Sequence, residues 1–402
     1  MNPVETQTTN WIGIASIWIG GMVSIPSLLI GSTLIGGMNF NQALLSGLLG
    51  IGFVVVFMCL ESVASVEFRL NTIELAKSAF GRIGGAILVG AIVGLATMGW
   101  FGVQTNIAGV SFSKILADTL AIELPAYFSS IFWGLIMLLT AVYGFRLMKW
   151  LNYLAVPAII LLMVYGLGVS FSEKGWGAIA SFEPSGSMSF LSAIGLAIGF
   201  VSVGGVISPD INRFSATKKD AIWGSILGLL PAGLLLLSIG AILGILQGTH
   251  DITEIFSELG YPVLALSILI LATWTTNVVN AYSGGLALNQ LLGLPEEKRP
   301  RSTLIAGILG TGLAVGGILN NFIGFLTLLT TTIPPIAGVL IADYWLAKSF
   351  QAESTQKINW RGFLGWFCGV ATMVFLEDPV KNLLAIAVSA VVFWGANKVI
   401  PR

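Results

Sequence analysis

The sequence predicts an all-α integral membrane protein of twelve transmembrane helices, ten forming a five-plus-five inverted repeat and two peripheral to it. Three observations lead there. Of 402 residues, 55% are hydrophobic and only 9% charged, whereas a soluble domain carries roughly 25% charged residues. Mean hydropathy is +0.91, and apolar stretches near the ~20 residues needed to cross a bilayer recur along the whole chain. One unusual phrase also occurs twice: Gly20-Gly21-Met22-Val23-Ser24-Ile25-Pro26 returns as Gly204-Gly205-Val206-Ile207-Ser208-Pro209.

The first five spans are read at 11–38, 40–65, 83–112, 124–145 and 148–172, and the first repeat occupies 1–175. The second repeat, 176–350, holds spans at 189–209, 221–247, 261–291, 302–320 and 322–346. Two further spans, 361–377 and 380–398, fall in a peripheral segment, 351–402. Most of these segments are hydrophobic on every side, as expected of helices surrounded by lipid. The first and sixth spans are the exceptions in backbone chemistry. Paired glycines, a serine and a proline weaken the helical hydrogen-bond ladder at mid-span. Open backbone survives in a membrane only where protein or a water-filled cavity receives it. A matched pair of such interruptions points to a transporter's midplane binding site, although two proline kinks with packing glycines would read alike. Five spans per unit make the second unit run inverted relative to the first.

Charge orients the chain. Sixteen of the nineteen Lys and Arg, from Arg69 and Lys77 through Arg146, Lys149 and Arg213 to Lys398 and Arg402, fall on one side. Only Lys114, Lys174 and Lys381 fall on the other. The positive-inside rule then puts both termini in the cytoplasm of a multi-pass protein of the cell membrane. The segment Met1–Asn10 has no Lys or Arg, so it lacks the basic start of a cleaved signal, and the first span is expected to persist. Cys59 and Cys368 offer no disulfide framework, and the single His250 sits in a polar loop. No catalytic carboxylate pair, Ser/His/Asp set, metal-ligand cluster or basic nucleic-acid patch is visible. The expectation is therefore a non-enzyme with no cofactor and no obligatory protein partner.

Polar side chains inside apolar spans need a partner or a purpose. In the third span, Trp100 and Gln104 stand four apart and share a helical face. An indole gives a flat surface and an amide offers donors and acceptors to a planar ligand's edge. Helix–helix contact explains the pair equally well. In the eighth span, Thr275 and Thr276 supply the oxygen that a hard cation such as sodium prefers. Carbonyls freed at the first-span break, those of Gly20 and Val23, would complete the shell, while bonding of the Thr hydroxyls one turn back is the rival. Phe200, before the second glycine pair, would close a sandwich against Trp100, or be an ordinary core residue. Asp210 and Arg213 are spaced to pair, and Glu61 and Asp343 are the other carboxylates near membrane depth.

Four stretches resemble the nucleobase–cation symporter-1 family, most closely its bacterial cytosine permeases: Gly99 to Val103, Asp210 to Phe214, Trp274 to Asn277, and Asn320 through Pro334-Pro335 to Tyr344. The resemblance implies the fold of leucine-type sodium symporters, with a site between the first, third, sixth and eighth helices. It further implies that Trp100 stacks on substrate, that Asn277 meets its amide edge, and that Phe200 (or Val201) and Ser202 contact the ring. Thr275 and Thr276 fall on the sodium-ligating pair, with Ala272 contributing a carbonyl. Two departures bear on substrate. Thr97 stands where the cytosine permeases have glutamine, and the amide appears instead at Gln104, as in hydantoin and allantoin transporters of the family. Val278 replaces an acidic residue. The expected function is sodium-coupled import of a small planar nucleobase, cytosine first, with hydantoin, allantoin or proton coupling as alternatives.

Overall fold

The computed structural model describes residues 8–143, 145–258, 260–351, 356–377 and 381–399. The polar start over 1–7, residue 380 of the last expected span and Arg402 lie outside the described residues.

The first span is two helices, α1 (Trp11–Met22) and α2 (Ile25–Ile35), meeting at 60°. Pro26 has no N–H to give, and Ser24 is extended at φ −151° and ψ 159°. The Ser24 N–H turns back to Met22 O at 2.7 Å and the Ser27 N–H to Ser24 O at 3.2 Å. The Ser27 hydroxyl adds a bond to Met22 O at 2.5 Å. The carbonyls of Gly20 and Val23 thus lose the N–H groups that an unbroken helix would supply one turn later.

The long α3 (Phe40–Phe68) starts under an Asn39 cap and ends on Arg69, in left-handed backbone at φ 57°. A nine-residue helix not expected from hydropathy, α4 (Thr72–Phe80), follows with a reciprocal Asn71–Glu74 capping box. Then come α5 (Arg82–Leu120), running past the expected end at 112, α6 (Ala126–Tyr143), α7 (Phe145–Lys174) and the single turn α8 (Gly177–Ala180). The echo of the first span divides α9 (Phe190–Val206) from α10 (Ser208–Asn212). In both places the glycine pair belongs to the end of the preceding helix, and the break comes after it at Val23–Ser24 and at Ile207. Next are α11 (Lys218–Gln247), α12 (Ile252–Ser257), α13 (Pro262–Leu291) and α14 (Arg299–Val315). The tenth span forms one apolar stretch, Ile318–Leu346, with a one-residue interruption at Ile333 between α15 (Phe322–Thr332) and α16 (Pro334–Ile341), where Pro334 and Pro335 remove consecutive N–H donors, and with a wider π turn over Ala342–Leu346. The chain finishes with α17 (Trp360–Phe375) and α18 (Lys381–Val399).

Seven helices among the described residues are long and apolar enough to cross a bilayer, and the bent α1–α2 pair makes an eighth. At 16 to 18 residues, α6, α9, α14 and α17 are shorter, and they stand where the fourth, sixth, ninth and eleventh spans are expected. The peripheral pair α17 and α18 pack chiefly on each other and on α16.

Close backbone contact holds the halves together. A methyl group at Gly31 would stand 2.0 Å from Leu237 O, and one at Gly240 would stand 2.0 Å from Leu28 O. The α2–α11 crossing therefore depends on reciprocal glycines, the usual device where no hydrophobic effect drives helices together in lipid. The widest helix interface joins α5 to α13, the two spans with polar clusters.

Candidate functional site

Trp100 sits at mid-length of α5, buried at 8% exposure. Its ring meets Phe200 of α9 (6.1 Å, 76°) and Phe322 and Phe325 of α15 (5.9 Å, 69°; 5.2 Å, 80°). Two small residues let this happen. A methyl at Gly99 would lie 2.2 Å from the Phe325 ring, and one at Gly199 would lie 2.2 Å from Leu326 O. Phe200 meets Trp100 as an edge-to-face neighbour in a four-ring cluster rather than as the parallel half of a sandwich. Phe322 and Phe325 were not anticipated; two aromatics three apart after Asn320-Asn321 were the available signal.

One turn along α5, Gln104 is 1% exposed, and among the described residues neither its Nε2 nor its Oε1 has a hydrogen-bond partner. An unpaired buried amide costs about 1–3 kcal/mol. The other hydroxyls of the expected site are satisfied within their own helices. Thr97 donates to Val93 O or Gly94 O at 2.8 and 3.0 Å, and Ser202 donates to Gly199 O at 3.1 Å. Asn277, fully buried, donates to Phe101 O (3.0 Å), Thr105 Oγ1 (2.9 Å) and Met137 Sδ (3.2 Å). Those partners lie one position round the helix from Trp100 and Gln104, so Asn277 clasps α13 to α5 and α6.

The cation candidates form two groups. Gly20 and Gly21 are exposed, and a methyl on either would meet nothing within 4 Å, so open space adjoins the α1 flank of the break. On α13, Thr275 and Thr276 donate to Ala272 O at 2.8 and 3.2 Å, the one-turn-back arrangement named above as the rival. Their oxygen lone pairs remain free to accept a cation, since donation uses only the hydroxyl proton. No hydrogen bond among the described residues joins the two groups.

The model of a family of permeases for cytosine/purines, uracil, thiamine and allantoin matches residues 2–395. The chain belongs to this permease family. It is 28% identical over 382 residues to the cytosine permease of Escherichia coli (strain K12), covering 93% of this chain and 86% of that one. It is 24% identical to the hydantoin permease of Microbacterium maritypicum, covering 94% and 79%. Among solved structures, the inward-facing conformation of Mhp1 superposes with a TM-score of 0.83 at 19% identity, over 99% of this chain and 93% of that one. Mhp1 in a closed conformation with bromovinylhydantoin bound gives 0.79 at 18% identity, over 99% and 95%. At such identities these likenesses establish the fold: the multi-span helical fold of this transporter class. The permease is a transporter-family membrane protein and not an enzyme.

The permease's charged residues are arranged differently from their sequence spacing. Asp210 and Arg213 do not pair with each other. Asp210 accepts the Thr72 N–H at 2.8 Å at the start of α4, and Arg213 stands 3.9 Å from Glu74. Between them Asn212 accepts from Trp18 Nε1 (3.2 Å) and donates to Ser62 and Ser225 (2.5 and 2.8 Å), tying α1, α3 and α11 around α10. The chain start joins the same knot, since Thr9 and residues 214–216 exchange two backbone bonds of 2.8 Å. Asp343 accepts from Ser78 and Ser349 at 2.5 Å. Glu61, 3% exposed, has no partner for either carboxylate oxygen among the described residues, and it lines a cavity with room for about one water molecule.

Proposed function

We propose that this permease imports a small planar nucleobase-like solute, cytosine first, in symport with sodium, from a site between Trp100 and Gln104 reached by alternating access. One observation carries the reading. Gln104 is the buried amide left open beside the aromatic cluster, and a flat heterocycle offering N–H and C=O edges would satisfy it while lying against Trp100. The perpendicular rings of Phe200, Phe322 and Phe325 then have to swing or slide to admit the ring, which makes them the gate of the site. Phe200 and Ser202 remain the proposed sixth-span contacts. Thr97 and Asn277 act in this reading through helix positioning. The coupling ion is proposed at the carbonyls of Gly20, Val23 and Ala272 with the Thr275 and Thr276 hydroxyls, tying α1 to α13. The gene product is placed in the cell membrane with both termini cytoplasmic, on the charge asymmetry of its loops.

Radiolabelled uptake into proteoliposomes tests this. Cytosine should accumulate with an inward sodium gradient and not with choline. Thr276→Ala should weaken the sodium dependence and Trp100→Ala the solute affinity; equal effects of both on sodium would undo the assignment. No uptake of cytosine, uracil, hydantoin or allantoin would reject the solute class.

A second reading, proton coupling, is favoured by the two unpartnered oxygens of Glu61. A pH gradient that drives uptake without sodium, and fails to do so in Glu61→Gln, would replace sodium by the proton.

A further inference from the structure

A cavity lies outside the Trp100 cluster. It measures about 700 Å³ and opens between the starts of α9 and α18, the length of α15 and the end of α17, at the end of the bundle away from the start of α1. Its polar lining is Ser189, Ser192, Thr327, Thr330, Thr331 and Asn382, with Glu377 and Lys381 also facing it. Asn382 is 93% buried by its 7% exposure, and its Oδ1 has no hydrogen-bond partner among the described residues.

Apart from Lys381, whose ammonium donates, the polar lining consists mostly of acceptors. Thr327 donates to Ile323 O (2.8 Å), Thr331 to Thr327 O (2.8 Å), and Thr330 to Gly195 O or Leu326 O (2.6 and 2.9 Å). The two serines share one bond of 2.7 Å, which leaves a single hydroxyl proton between them. With all but one of these protons committed, the hydroxyls present lone pairs, and the orphaned Oδ1 of Asn382 adds another acceptor. The cavity therefore suits N–H donors along the wall formed by α9, α15 and Asn382.

Its position gives it a role. The same two helices form its inner wall and the aromatic cover of Trp100. Phe200 on α9 and Phe322 and Phe325 on α15 face Trp100, while Ser192 and Thr327, Thr330 and Thr331 of those helices face the cavity. We propose that this cavity is a staging site for a small solute rich in N–H groups, one helix layer outside the Trp100–Gln104 site. The solute would dock there before α9 and α15 part. This rests on the proposed reading of the inner site for its place in transport, though not for its ligand chemistry. A primary ammonium of a lipid headgroup is also an N–H donor, so the experiment separates the two sources.

The probe is acetamide, compared with acetone, its counterpart without N–H. Saturation-transfer NMR is run on the full chain in phosphatidylcholine discs, in a Gln104→Leu background that removes the inner amide. Acetamide should give a signal and acetone little. Adding Asn382→Leu should reduce the acetamide signal at least threefold, and Asn382→Gln should restore it. Thr331→Val, at a half-buried position and nearly isosteric, should also reduce it. Equal signals from both probes, or a signal unmoved by Asn382→Leu and Thr331→Val, would overturn the proposal. Loss of the acetamide signal in phosphatidylethanolamine discs would assign the cavity to the bilayer and overturn it as a solute site. A full set of expected NMR contrasts in a chain that takes up no nucleobase would uphold the cavity and strike the proposed function instead.

Discussion

Gln104 and Asn277 are both buried amides in the middle of polar clusters, yet their surroundings give opposite expectations. Asn277 spends its amide hydrogens on Phe101 O, Thr105 and Met137, so replacing it by leucine removes a buried polar link from α13 to α5 and α6. Asn277→Leu should lower stability by about 1–3 kcal/mol and depress the thermal unfolding midpoint of the purified protein, with solute contact unaffected in whatever remains folded. Gln104 spends nothing. Gln104→Leu should leave the unfolding midpoint unchanged or raised, while solute affinity falls at least tenfold, about 1.4 kcal/mol, in equilibrium binding. A fall in both would make Gln104 a packing residue. Gln104 was read as a ligand contact from the face it shares with Trp100, and Asn277 from the family resemblance. The sequence could not show what each side chain faces, since helices apolar all round carry no periodic mark of lipid, neighbour or cavity. Trp100 was legible as an aromatic sharing a face with Gln104, whereas the Phe322 and Phe325 shell depends on a tertiary approach of α15 that no local spacing reveals.

The elements were more legible than the contacts. The Gly, Ser and Pro residues that interrupt the first and sixth spans were visible as a repeated phrase, and the chain breaks within each phrase, just beyond its glycine pair. What the phrase could not give is the division of labour inside it. Proline and the turned-back serine amides make the break, and the glycines before it keep the α1 flank open at Gly20 and Gly21. Short amphipathic or capped elements such as α4 escaped notice because a hydropathy reading registers only length and apolarity. The reciprocal glycines at Gly31 and Gly240 belong to the same scale. Gly240→Val places carbon where Leu28 O already lies, so α2 and α11 must separate. Expression of that variant should yield protein that elutes as aggregate or unfolds well below the parent, whereas Gly52→Val, with nothing within 4 Å, should be tolerated. Comparable thermal stability of the two would remove the crossing from the account.

At the scale of the whole molecule, the Gly20 and Val23 carbonyls at the break after α1 and the hydroxyl pair on α13 lie in different helical units, while the proposed solute contacts lie on α5 and α9. An ion that bridges α1 and α13 changes how those units sit against each other, and thereby changes the geometry that the solute meets. Linkage makes this reciprocal: any factor by which sodium raises solute affinity is the factor by which solute raises sodium affinity. Composition and loop charge were enough to read a many-span membrane protein. The proposed cation shell was also read from the sequence, and no hydrogen bond among the described residues connects its two groups. Equilibrium binding of radiolabelled cytosine to the purified chain, titrated in sodium and in choline, tests that coupling most directly. The account predicts an affinity at least fivefold tighter in sodium, a gain lost in Thr276→Ala, and a matching gain in sodium affinity when cytosine is present. Cytosine affinity that is the same in choline as in sodium would contradict it.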